Sequence, residues 1–404
     1  MIKNKFIQRI VDKGIERLLT LSGAVTSIII LFICLFLFIE GFGLFKSKTI
    51  EDGYGLYVHS KNPINELNPE EMKRIFDAEI TNWNELGGTN TTIRVFRIEE
   101  VFQTHSEDEL GEDYSMLTQL LGDVIKSDST IIAFLPKEFV PIESSAIKEI
   151  PSRTISAADF LVGKEWIPTS TPSAFYGLLP LLLGTLLVSL MAILMALPLG
   201  LGVAIYLSEL ASERTRRWMK PIIELLAGIP SVVYGFFGLV VIAPIIQKTF
   251  HLQVGETALT GSIILAIMAL PTIISIAEDA MRNTPRAMRE ASLALGATQW
   301  QTIYKVVIPF AKSGISAAIV LGIGRAIGET MAVLMVTGNA AMMPDSIFQS
   351  VRTIPATIAA ELGEAPVGGP HYQSLFLLGC VLFVMTMSIS IIAEIISKKQ
   401  AYKH

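Results

Sequence analysis

The sequence is short of charge, cysteine and histidine, and each shortage closes off a class of function. Charged residues are 17% of 404 positions and hydrophobic residues 51%, with a mean hydropathy of +0.53, too apolar for an ordinary soluble protein of this length. The formal charge of −5 leaves no basic surplus to neutralise phosphates, so no nucleic acid is expected as a partner. The two cysteines, Cys34 and Cys380, both lie in apolar runs, which excludes a disulfide framework or a cysteine metal site. Five scattered histidines give no ligand pair at helical spacing, and no metal is expected. There is no G-x-x-x-x-G-K-[ST] loop, so nucleotide-driven work would be powered by another chain.

Apolar, charge-free windows are abundant. A helix needs about 20 such residues to cross roughly 30 Å of hydrocarbon. Six regions qualify: Leu18–Ile39, Phe175–Ser208, Leu225–Gln247, Thr257–Ala277, Ser313–Met343 and His371–Ala393. Only the fifth holds charges, Arg325 and Glu329. The expected fold is an all-α polytopic membrane protein with six transmembrane helices.

Basic residues flanking the spans give the orientation, because short cytoplasmic loops retain Lys and Arg. Lys3, Lys5, Arg9, Lys13 and Arg17 precede the first span, and Arg214, Arg216, Arg217 and Lys220 follow the second. Arg282, Arg286, Arg289, Lys305 and Lys312 lie between the fourth and fifth, and Lys398, Lys399 and Lys403 form the tail. The third-to-fourth and fifth-to-sixth connections have only Lys248 and Arg352. Both termini are therefore expected in the cytoplasm, with the first span a retained anchor. Residues 1–45 form the N-terminus and first helix, 46–170 an extracytoplasmic region, 171–396 a five-helix core with a cytoplasmic loop at 281–312, and 397–404 the tail. The 46–170 region is long enough to fold alone. It holds 22 acidic against 12 basic residues, a poor funnel for an anion unless a local basic pocket overrides it.

In the loop after the fourth span, Glu290-Ala291-Ser292 is followed by Gly296 and then Ile308-Pro309. Pro285 can open a short helix through 288–295 and Gly296 can end it, giving a rigid knob. This pattern resembles the E-A-A-x3-G-x9-I-x-L-P loop of ABC importer permeases, with Ser292 in the third position and Ile308-Pro309 where Leu-Pro is usual. The segments 224–238, Leu270-Pro-Thr-Ile273, Glu278-Asp279-Ala280, 322–332, Val351-Arg-Thr353 and 356–363 together resemble the phosphate-importer permeases of the PstC branch. The resemblance covers the first span and nearly all of 171–396.

That resemblance implies a type I importer with a MetI-like core and no enzyme activity of its own. It implies no cofactor on this chain, with ATP and Mg on partner ATPase subunits. The partners implied are a second, PstA-like permease, two PstB-like ATPases, a PstS-like extracytoplasmic binding protein, inorganic phosphate and the lipid bilayer of the bacterial inner membrane. ATPase coupling falls to Glu290, Ala291, Gly296, Ile308 and Pro309. Sulfate or molybdate as the oxyanion, a secondary transporter or channel, and a membrane-tethered sensor are the alternatives.

Arg325 lies 12 residues into the fifth span as read from sequence, near the midplane. Burying it in lipid would cost about 2.5–3.5 kcal/mol or more, so it should face protein or a watery path. Glu329, four residues on, is expected on the same helical face. Two readings stand: a buried ion pair that fixes packing, or a transient oxyanion site at Arg325 that Glu329 keeps weak enough to release its cargo. The resemblance implies a charged pair in phosphate passage, and Arg352 is a further candidate for the pathway. Small residues Gly314, Ala318, Gly322 and Ala326 form one stripe for close helix approach, and Gly324 and Gly328 a second.

Within 46–170, the stretches 67–76, 80–88 and 93–97 resemble part of a periplasmic phosphate-binding protein, with 130–140 matching a later strand. In that family the Arg is followed by a Ser-Gly-Thr turn that holds phosphate. Here Arg97 is followed by Ile98-Glu99-Glu100, which offers repulsion and few donors. The expectation is a degenerate α/β insertion that does not itself bind phosphate tightly.

Overall fold

The computed structural model describes residues 2–104, 116–140 and 146–401; Lys403 of the basic tail lies outside the described residues. The chain opens with α1 (Ile2–Phe42) and then builds an α/β region. Its elements are β1 (Tyr54–His59), α2 (Pro69–Phe76), β2 (Arg94–Arg97), α3 (Glu99–Thr104), α4 (Leu117–Ser127), β3 (Ile131–Pro136), β4 (Ile147–Ile150) and α5 (Ala157–Val162). The sheet order is β2-β3-β1-β4, with β1 antiparallel to both neighbours and β2 parallel to β3. Side chains alternate across the sheet. Leu56 and Val58 of β1 pack on one face with Met72 and Ile75 of α2 and Trp83. Tyr57 faces the other way, with Leu117, Leu121 and Ile125 of α4. Asn68 starts α2 through a reciprocal capping box with Glu71, a device worth about 1 kcal/mol.

A two-stranded ribbon, β5 (Trp166–Ile167) and β6 (Phe175–Tyr176), leads into the helical bundle. The bundle comprises α6 (Leu179–Ile205), α7 (Glu213–Ala227), α8 (Ser231–Phe237), α9 (Ala243–Phe250), α10 (Ala258–Arg282), α11 (Arg286–Ala294), α12 (Gln299–Thr302), α13 (Ile308–Gly328), α14 (Met331–Val336), α15 (Ile354–Glu361) and α16 (Pro370–Ala401). Single π-helical turns prolong α6 and join α8 to α9 and α12 to α13. Among the described residues, six segments are long and apolar enough to cross a membrane: Lys13–Lys46, Leu179–Leu210, Ser231–Phe250, Ala258–Arg282, Gln299–Gly328 and Pro370–Ile392.

α10 is the central helix. Its apolar window is 61% buried, against 11% for the first span, so α1 leaves most of its apolar surface for lipid. Val188, Ala192 and Ala196 of α6 pack on Ile264, Ala269 and Ile273 of α10, with Ala326 of α13 closing the cluster. The expected small-residue stripe does this work: a Cβ added at Gly314 would strike Ala280, and one at Gly322 would come within 3.0 Å of Ile273. Without a hydrophobic drive between helices in lipid, such close approach supplies the packing energy. The second stripe meets nothing among the described residues; added Cβ atoms at Gly324 and Gly328 find open space.

Two spans differ from expectation. The third begins at Ser231 rather than Leu225, because Pro230 breaks the helical run and leaves Leu225–Ala227 at the end of the amphipathic α7. The fifth starts at Gln299 and ends at Gly328. Glu329 adopts extended backbone (ψ 129°), so 329–343 do not continue the helix. Instead α14, with Ala332, Val333 and Val336 buried, turns into the bundle, and 337–353 form a folded-back segment. Val351 N donates to Thr337 O and Ala258 N to Gln349 O, tying that segment to the start of α10.

Candidate functional site

Arg325 is half-buried three residues before the end of α13. Its depth can be read from α6. Ser189 Oγ donates to the Ala326 carbonyl at 3.4 Å, and Ser189 stands about ten residues into α6, roughly 15 Å along its axis. Counted from the Leu179 end of α6 this is about half the thickness of a hydrocarbon core, while along its own span Arg325 stands three residues from the Gly328 end. The guanidinium is held by a neutral group: Nη1 donates to Thr272 Oγ1 of α10 at 3.1 Å. The expected i,i+4 pair with Glu329 does not form. The helix ends before Glu329, whose Oε1 instead accepts from Ala332 N at 3.3 Å and caps α14. Added Cβ atoms at the neighbouring Gly324 and Gly328 would find nothing within 4 Å among the described residues.

Arg352 lies within the bundle end. An added Cβ on Gly184 of α6 would run into the Arg352 carbonyl, and Ile354 N donates to Thr185 Oγ1 at 2.9 Å. Arg352 therefore sits about 7 Å nearer the α/β region than Ala326, counting four to five residues along α6. Its partner is Glu361, with Nη1 2.5 Å from Oε1. The same carboxylate accepts from Trp166 Nε1 of β5 at 3.0 Å and contacts His371 Nε2 of α16 at 2.9 Å. Burial raises the Glu361 carboxyl, but the His371 and Trp166 hydrogen bonds and the Arg352 charge outweigh it and hold the group below the usual carboxylate range. A lowered value means that the contribution of this pairing is present at neutral pH and is lost on acidifying through that value.

The connecting loop forms the expected knob. Pro285 precedes α11, whose helix closes into Gly296 at φ +82°, the left-handed position that glycine fills without a Cβ penalty. Glu290 and Ala291 are exposed on α11, and Ile308-Pro309 open α13. Ser292 Oγ and Thr302 Oγ1, 2.9 Å apart, brace the loop.

What the sequence reading missed are the ties that brace this knob, and the end of α10 that leads into it, against the rest of the bundle. Arg289 places Nη2 2.8 Å and Nε 3.2 Å from the two oxygens of Glu209, at the end of the second span. Its remaining donors reach the Thr284 and Met281 carbonyls. Lys220 of α7 contacts Glu278 and Asp279 at 2.7 Å each. Burial lowers the Lys220 ammonium, but hydrogen bonds to Asp279 and Glu278 and their charges raise it above its usual value. These partners are 58 to 80 residues apart, beyond any local pattern.

In the α/β region, Arg97 and Glu100 meet where the resemblance would put an anion site. Glu100 Oε1 accepts from the Arg97 backbone N–H at 3.3 Å, and Arg97 Nη2 donates to the Phe76 carbonyl at 3.4 Å. Arg94 lies 3.5 Å from Glu100 and from Asp128. Among the described residues, no cluster of three or more potential metal ligands occurs.

Six apolar helices, a protruding loop braced to two of them and a charged group at mid-depth define a polytopic transport permease. Residues 196–402 match the family described as binding-protein-dependent transport system inner membrane component, and residues 38–107 match a PBP superfamily domain. The chain is 41% identical over 246 residues to a probable ABC transporter permease protein, YqgH, of Bacillus subtilis, covering 61% of this chain and 79% of that one. It is 42% identical over 254 residues to the phosphate transport system permease protein PstC of Mesorhizobium japonicum, covering 58% and 76%. The PstC protein of Pasteurella multocida is 36% identical over 269 residues, covering 60% and 82%. The chain belongs to the inner-membrane components of binding-protein-dependent transport systems. Such a component works with a binding protein and with ATPase subunits.

Proposed function

We propose that this chain is the PstC-type permease of an ATP-driven phosphate importer. The observation that carries this reading is Arg325: a guanidinium at mid-depth, held by a hydroxyl rather than a carboxylate and flanked by glycine positions open to a neighbouring subunit. A cation with spare donors suits a doubly or singly charged oxyanion, which it can bind bidentately. Arg325 and Arg352 form successive steps of the pathway along α6, with Glu329 between them in sequence and engaged at α14. A second, PstA-like permease supplies the other wall of the route.

Two PstB-like ATPases, carrying ATP and Mg, dock on the knob around Glu290, Ala291, Gly296, Ile308 and Pro309. The basic flanks put that knob and both termini in the cytoplasm, and residues 46–170 outside, where a PstS-like binding protein delivers phosphate. ATP binding closes the ATPases, moves the knob and opens the route outward. The names of the relatives support phosphate as the cargo. The Arg97–Glu100 contact supports an insertion that does not itself hold phosphate, since a carboxylate already takes the backbone N–H there.

The test is radiolabelled phosphate uptake in cells lacking this chain, restored by the wild-type gene and challenged with excess sulfate or molybdate. Restored uptake that only unlabelled phosphate competes away is expected. Competition by sulfate or molybdate, or no restoration, would overturn the phosphate assignment.

A further inference from the structure

The Arg352 guanidinium carries an anomaly. Its Nε is buried and has no hydrogen-bond partner among the described residues, although Nη1 is tightly paired with Glu361. Buried donors are normally satisfied, and one left over calls for an explanation. Glu361 has the opposite character. Its carboxylate is only 13% exposed and is contacted by three groups from three parts of the chain: Arg352 from the folded-back segment, His371 from α16 and Trp166 from the ribbon that ends the α/β region. It can lose one of them and remain held.

The ribbon is firmly seated. Trp166 is 3% exposed and Tyr176 8%, and both pack with Phe160, Leu181, Ile354, Leu375 and Leu378 in one apolar cluster. The Trp166 and Tyr176 rings meet edge to face at 5.9 Å. A rigid indole N–H is thus aimed at the carboxylate that neutralises a pathway arginine. The titratable groups close to this carboxylate include Arg352, His371 and the Tyr176 phenol.

We propose that Glu361 is a gate carboxylate: it occupies Arg352 when the pathway is empty and yields that guanidinium to a passing oxyanion, while Trp166 and His371 keep it in place. This rests on the reading of Arg352 as a pathway residue. A single carboxylate oxygen on Nη1 is a one-point hold that leaves Nε unsatisfied, so an oxyanion that draws the guanidinium out of this contact and takes it bidentately can displace Glu361. Return of Glu361 then expels the anion. The α/β insertion accordingly acts on transport through Trp166, as a positioning element and not as a ligand.

The experiment uses the assembled transport complex, purified without its binding protein, and radiolabelled inorganic phosphate as probe, with sulfate in parallel. Glu361→Gln keeps the shape and removes the charge. It should raise equilibrium retention of phosphate several-fold and, in proteoliposomes resupplied with the binding protein, lower the uptake rate, because the anion is no longer displaced. Trp166→Phe should move both quantities in the same direction by less. Adding Arg352→Ala to Glu361→Gln should abolish the gained retention, which a merely structural loss would not do. Unchanged or reduced retention in both single variants, at any yield of complex, overturns the gate. Wild-type uptake in the same vesicles reports separately on the cargo. If sulfate rather than phosphate is carried, the phosphate reading fails and retention of sulfate judges the gate.

Discussion

Arg325 keeps a charge at mid-depth with a neutral partner, and that choice has consequences. A carboxylate at contact distance would lock the guanidinium in an ion pair, whose removal on one side is costly. The Thr272 hydroxyl at 3.1 Å orients the group while leaving most of its five donors for something that passes. Arg325→Ala should therefore leave the complex assembled and cut phosphate uptake about ten- to a hundredfold. That corresponds to roughly 1.5–3 kcal/mol for a hydrogen bond to a charged group. Normal uptake with normal assembly would remove Arg325 from the route. Arg325 was legible as one of two charges in a long apolar run. The position of Glu329 was not, because the end of α13 is set by the docking of α14, whose Ala332, Val333 and Val336 are buried, and no proline announces it. Trp166, Glu361 and His371 were silent for a related reason: three polar residues scattered across 206 positions of sequence acquire meaning only when a ribbon and two helices bring them together.

At the scale of the element, the knob was readable from its two ends. Pro285 and Gly296 bracket α11 as expected, because each end of the helix is fixed by backbone constraints within one residue. Its leverage was not readable. For the proposed coupling a helix of nine residues must be tied to the bundle, and Arg289 is one tie, beside Gln299, whose side chain donates to the Glu209 carbonyl at 3.1 Å. The Arg289 fork spans both oxygens of Glu209, 8% exposed, while two further donors grip the carbonyls of residues 281 and 284. The pair thus joins the knob to the second span and to the end of α10 at once. Lysine keeps the charge but offers a single ammonium in place of the planar fork. Arg289→Lys should leave assembly intact and reduce several-fold the ATP turnover stimulated by phosphate-loaded binding protein. Full stimulation in that variant would show that the knob transmits its movement without this tie. Glu290→Ala acts on the exposed side of the same helix and should weaken the same coupling through the ATPase contact; unchanged stimulation would count against docking at that surface.

For the whole molecule, the acidic balance of 46–170, 22 acidic against 12 basic residues, bears on the proposed phosphate route, because a negative surface repels anions at long range. Long-range repulsion of this kind is screened within about 8–10 Å at physiological salt, so a binding protein that releases its cargo at the bundle end bypasses it. The insertion then needs only to be a scaffold, and its internal structure agrees. β2 runs directly into α3, and Glu100 folds back on the Arg97 backbone N–H. The Arg97 side chain lies 5.8 Å from the Phe76 ring centroid and donates to the Phe76 carbonyl. A guanidinium so engaged, beside a carboxylate that would repel phosphate, supports the proposal that the insertion does not itself hold phosphate. Arg97→Ala should thus leave the phosphate concentration for half-maximal uptake unchanged within about twofold, a shift below 0.5 kcal/mol, while lowering the thermal stability of the α/β region slightly. A tenfold rise in that concentration, with the region still folded, would mean that the insertion does take part in binding and that its acidic surface hides a working site.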